Sequence, residues 1–101
     1  MIEHELMYLE IHNAADLKSA FLEIREEIEK ADSKFKLTEL YNRAGYLIVL
    51  ANDAFWERKF FRNIGNIRNI AEEEFRLTAR KINHQAEKIG IEGNYDETWA
   101  D

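Results

Sequence analysis

Apolar residues recur along this chain at steps of three and four, the period of a helix with one buried face. From Asn13 onward they fall at Leu17, Phe21, Ile24, Ile28 and Ala31, a single stripe. Asn13 reads as an N-cap and Asp16 stands three residues on, close to a capping box. Lys18, Glu23, Arg25, Glu26, Glu27, Glu29 and Lys30 form the charged outer face. The pattern predicts a first helix over 14–31.

Asp32 and Ser33 supply the next N-cap signal, with no Gly or Pro between the two helices. The second stripe runs through Phe35, Leu37, Leu40, Tyr41, Ala44, Leu47, Ile48, Ala51 and Phe55, and predicts a helix over 34–60. Such a helix is ~40 Å long at 1.5 Å per residue. Tyr46, Val49, Leu50 and Trp56 lie elsewhere around its cylinder, so from Ala44 to Trp56 it is apolar on most sides. Gly45 in its interior points to a close helix–helix approach or a bend.

Residues 61–69 hold three Asn and a Gly and read as a connection. Asn69 followed by Glu72 resembles a capping box, and Glu72, Glu73 and Glu74 suit the first turn of a helix. Ala71, Phe75, Thr78, Ile82, Ala86 and Ile89 continue at helical spacing, and Gly90 stands where a left-handed cap belongs. The third helix is therefore expected over 70–89. Residues 2–12 read as a short helix through Ile2, Leu6 and Leu9, with an extended arm as the alternative. Residues 91–101 read as an irregular tail. The fold class is all-α: one domain, a bundle of three principal helices.

Composition narrows this further. At 101 residues with 46% hydrophobic and 34% charged residues, the chain is long enough for one modest core. It has no Cys, which removes a disulfide scaffold, a thiolate metal site and a Cys nucleophile; the absence of Pro leaves long helices possible. The net charge is −6, and its distribution is uneven. Residues 1–33 carry nine acids and three bases, 34–70 three and seven, and 71–101 eight and four. The overall acidity argues against a general nucleic-acid binder. The most apolar stretch, Ala44–Phe55, falls short of the ~20 residues a membrane span needs. The acidic start lacks the features of a signal peptide, so the expected location is the cytoplasm.

The long middle helix is the main functional clue. Two neighbours within one chain are not expected to cover it, which would leave a patch of several hundred Å² around Tyr46, Val49, Leu50 and Trp56. A homodimer or higher homo-oligomer buries such a patch, and these four residues are the expected self-interface. A fold-back of the chain ends, including the Tyr95–Trp99 tail, is the competing way to cover it.

Other chemistry is less well specified. Arg58, Lys59, Arg62 and Arg68, with Phe60 and Phe61 between, form a basic loop able to contact an anion, nucleic acid or an acidic protein segment. In the competing reading they cap a helix end and plug the core. Tyr95, Asp96, Glu97 and Trp99 make an acidic, aromatic peptide of the kind that docks on a partner. Glu23, Glu26 and Glu27, set against Glu72 and Glu73, would give a divalent-metal site of nucleotide-hydrolase type if the helix faces converged. The stripes place most of these acids off the core seam. His84 and Glu87 lie off it too, and the inward Glu-x-x-His of di-iron bundles does not occur. The two Ser residues, Ser19 and Ser33, have no His nearby in sequence. The expectation is an interaction or assembly protein without cofactor or catalysis, with the metal-dependent enzyme and the anion-binding loop as alternatives.

Overall fold

The computed structural model describes residues 14–57 and 64–98. Three helices account for most of it: α1, Ala14–Ile28; α2, Lys34–Glu57; and α3, Ile64–Lys88. The packed bundle has the predicted all-α architecture. Arg25 meets Glu74, Glu29 meets Lys81, and Gln85 reaches the Ala31 carbonyl. Residue numbers rise together across that seam, so α1 and α3 run parallel, with α2 returning between them.

The core is the set of stripes brought face to face. Leu17, Phe21, Ile24 and Ile28 of α1 are completely buried, as are Leu37, Leu40, Ala44 and Leu47 of α2 and Ile82 and Ala86 of α3. Phe75 is 1% exposed and its ring lies 5.5 Å from that of Tyr41, tilted by 59°. Thr78 is buried among them, its hydroxyl donating to the Glu74 carbonyl at 2.8 Å. No helix among the described residues is long and apolar enough to cross a membrane.

The helix ends differ from the expected boundaries in two places. α1 stops at Ile28 rather than residue 31, because the chain tightens: Lys30 N–H donates to the Glu27 carbonyl and Ala31 N–H to that of Ile28. Ala31 remains buried, and its own carbonyl accepts from Gln85 of α3 at 2.9 Å. Ser33 then caps α2 as expected, its hydroxyl oxygen accepting from Lys36 N–H at 3.2 Å. The second difference is larger. α3 begins at Ile64, so the Asn-rich stretch expected as a connection is helical from that residue on. Asn69 is therefore an interior residue and not a cap, and Glu72–Glu74 lie beyond the first turn. The spacing Ile64, Ile67, Ala71, Phe75 extends the apolar stripe backwards, and it prevails over the modest helix propensity of Asn and Gly. Asn13, residues 2–12 and the stretch 58–60 expected at the end of α2 lie outside the described residues.

Gly90 ends α3 with a φ of 86°. Ile91 N–H donates to the Ala86 carbonyl at 2.9 Å and Gly90 N–H to that of Glu87 at 3.2 Å, the paired bonds of a Schellman motif. Ile91 packs against the core beyond it. A methyl group at residue 90 would meet no atom within 4 Å, so Gly90→Ala tests the backbone alone. It is expected to destabilise by about 1 kcal/mol, a lowering of the melting temperature of roughly 4–8 °C in a scanning-calorimetry trace.

Candidate functional site

Three surfaces of this bundle carry its chemistry: the outer side of α2, the flank shared by α1 and α3, and the opposite flank crossed by the tail. On α2, the residues expected to be uncovered are covered to different degrees. Val49 is 38% exposed, whereas Tyr46 and Leu50 are half-buried and Leu50 packs on the chain's own core. Gly45, Leu47, Ile48 and Ala51 are buried. Over 44–51 the apolar girdle is thus narrower than its sequence suggests, because α1 and α3 each pack against one flank of α2. Trp56 lies where no side chain is described. Phe35, assigned to the buried stripe by its spacing, is instead 80% exposed. It lies on a stripe with Glu39, Asn42, Tyr46 and Val49, at steps of four, three, four and three.

The acids do not gather. Glu27 faces α2, where Lys36 (3.8 Å) and Arg43 (3.5 Å) share its carboxylate. Glu23 and Glu26 are exposed on α1 and Glu73 on α3, and Glu72 pairs with Arg68 one turn away at 3.8 Å. Glu74 turns inward to Arg25 at 2.9 Å. Among the described residues no group of three His, Asp or Glu side chains could hold a metal ion. His84 and Glu87 are exposed. Arg68 is on α3 and not in a loop. Arg58, Lys59, Arg62 and Trp99 lie outside the described residues.

Sequence reasoning missed the α1/α3 flank. An open groove of about 550 Å³ is lined by Glu29 of α1 and by Leu77, Arg80, Lys81, His84 and Lys88 of α3, among others. Lys81 Nζ donates to Glu29 at 2.6 Å, and this contact holds the Glu29 carboxyl below its ordinary range. The signal was present in the spacing: Leu77, Lys81, His84 and Lys88 stand at steps of four, three and four. Summing charge over the final third concealed it, because that third is acidic overall.

On the other flank the tail is fastened down. Asn83 Nδ2 donates to the Tyr95 carbonyl at 2.9 Å, while Asn83 Oδ1 accepts from Tyr95 N–H at 2.8 Å. The Tyr95 ring lies 5.0 Å from that of Tyr41, and its hydroxyl shares a 2.7 Å hydrogen bond with Thr38. Tyr41 donates to the Asp96 carbonyl at 2.9 Å, and Arg80 holds Glu97 through Nε and Nη2 at 3.3 and 3.2 Å. Asp96 in turn accepts from the Thr98 N–H and hydroxyl, which draws its carboxyl below the usual value. Residues 91–98 are thus irregular as expected, and closely tied to the bundle.

Burial, reinforced by the Asp96 charge, pushes the Tyr41 phenol above its ordinary value of 10.0. The fold therefore favours the protonated form, which is also the form that donates to Asp96. That contribution is complete below the unfolded value, near pH 10, and is lost as pH rises through the higher folded value. Thermal melts carried above about pH 10 should show a loss that Tyr41→Phe reduces. The same variant should cost about 0.5 kcal/mol at neutral pH.

Comparison with protein-family models, with curated proteins and with solved structures finds no match for this chain.

Proposed function

We propose that this protein is a small helical self-association module that acts by protein–protein interaction through the outer side of α2. The observation that carries the reading is the outward stripe of that helix: Phe35 at 80% and Val49 at 38% exposure, with Tyr46 and Leu50 half-buried beside Val49. Exposed apolar side chains scattered singly are ordinary. These two are related by position, since each lies seven residues from Asn42. An antiparallel two-fold pairing centred on Asn42 sets Phe35 of each copy against Val49 of the other, the isologous contact of a symmetric dimer.

The charges of α2 support the same partner. Lys34 and Lys36 occupy its N-terminal end, while Asp53 and Glu57 occupy its C-terminal end. Both signs are those the helix's own macrodipole disfavours. An antiparallel second copy brings the basic end of one helix beside the acidic end of the other. Exposed pairs of this kind add only ~0–1 kcal/mol each, so they set the orientation more than the strength of the pairing.

Val49→Lys is the clean test. Val49 points outward, so the change leaves the core intact, whereas a charge at Leu50 would disturb the monomer itself. Sedimentation velocity should show wild-type dimers, and the variant's dissociation constant should rise about 10–100-fold. A wild type that stays monomeric, or a dimer indifferent to this charge, removes the basis of the reading.

A further inference from the structure

Residues 93–97 lie across α2 and α3 as a ribbon, and the two helices read that ribbon at both backbone and side chain. Asn83 gives Tyr95 the donor and acceptor that a neighbouring strand would give it. Thr38 and Tyr41 form the seat of the Tyr95 ring and hydroxyl, Tyr41 takes the Asp96 carbonyl, and Arg80 takes the Glu97 carboxylate. Residue 93 must be Gly, because a Cβ there would stand 2.6 Å from the Asn83 carbonyl oxygen. The requirement read by the groove is therefore a Gly, a Tyr two residues on, and an acid two residues after that. None of these contacts involves Glu92, which is exposed between Ile91 and the ribbon.

We propose that this surface is a peptide-recognition groove, closed in each copy by its own residues 93–97, and that its trans occupant is the same segment of a second copy. Every copy carries a segment already matched to the groove in charge and shape, and exchange remakes each contact without new chemistry. The turn at Gly90–Glu92 is the hinge that opens. Its Schellman bonds and the short tether favour the closed form, since a short tether gives an effective concentration in about the millimolar range. Exchange between wild-type copies is therefore confined to concentrations near that value, or to places where a partner or surface crowds the copies together.

Complementation between two full-length chains tests this, both carrying Val49→Lys and both held below the concentration at which that variant pairs through the outer side of α2. One chain adds Gly93→Val, which lifts its ribbon and leaves every groove side chain in place. The other adds Asn83→Leu, which disables its groove and leaves its ribbon intact. Each alone should sediment as a monomer. Their equimolar mixture should form a 1:1 complex at concentrations at least about tenfold below those at which the Val49→Lys chain without further change exchanges. Adding Tyr95→Ala to the Asn83→Leu chain should abolish the complex. Circular dichroism checks each chain, and Tyr95→Ala replaces Gly93→Val in the first chain if that one loses helical signal. A mixture that remains monomeric, or a complex that survives loss of Tyr95 from the donor, overturns the proposal. Because the chains carry Val49→Lys and are mixed below the concentration at which that variant pairs, either result is independent of whether α2 pairs with α2.

Discussion

Phe75→Ala is expected to destabilise this protein by about 3–5 kcal/mol, the range for truncating a fully buried aromatic side chain. A domain of this size has a total stability of roughly 5–15 kcal/mol, so one substitution removes a large share. Phe75 is 1% exposed and stands where α3 meets Tyr41 of α2. Its loss leaves a cavity and also removes one side of the Tyr41 seat. Tyr41 in turn supports Tyr95, so the ribbon over 93–97 should loosen together with the core. Urea unfolding followed by circular dichroism gives the stability change, and hydrogen exchange at the Tyr95 amide reports the ribbon. Phe75→Leu keeps most of the volume and should cost far less. A loss below about 1 kcal/mol for the alanine variant would mean that the packing around Phe75 is not as described.

The parts of the fold that were legible in the sequence are those decided by period and by local chemistry. Leu17, Phe21, Ile24 and Ile28 mark α1 by spacing alone, and all four are fully buried. Ser33 and Gly90 announce their caps because each acts on backbone groups within a few residues. The start of α3 was not legible, because the local preference of Asn63, Asn66, Asn69 and Gly65 opposes the apolar stripe that runs back to Ile64. Over 44–51 the middle helix is covered more fully than its composition suggests, for a geometric reason. An apolar residue can lie well to the side of the core direction and still be covered, because each helix of a three-helix bundle has two neighbours. Tyr41 and Leu50 are covered in this way, whereas Phe35 and Val49, pointing nearly opposite to the core, are left exposed among the described residues. The ribbon was not legible at all beyond its composition. Asn83 looks like any polar residue of a helix until the Gly90 turn brings Tyr95 back alongside it.

Glu74→Met is expected to cost about 1–3 kcal/mol, and replacing Arg25 and Glu74 together by Met should cost less than that single change. Arg25 Nη1 donates to Glu74 at 2.9 Å and to the Thr78 hydroxyl at 3.2 Å, with side-chain exposures of only 19% and 15% for Arg25 and Glu74. Removing Glu74 leaves a largely buried guanidinium with one neutral acceptor, and the loss is mostly the unreturned desolvation of that charge. Met at both positions removes both charges and keeps a linear apolar stem at each, where dispersion contact offsets part of the lost ion pair. Thr78 loses the Arg25 donor in the exchange but keeps its own bond to the Glu74 backbone carbonyl. The prediction is therefore a coupling energy of about 1–2 kcal/mol in a double-mutant cycle measured by chemical denaturation. It should persist at high salt, because a pair this sheltered is screened far less than an exposed one. Additive single and double changes would show instead that Arg25 and Glu74 are solvated independently, and that their pairing adds nothing to the α1/α3 seam.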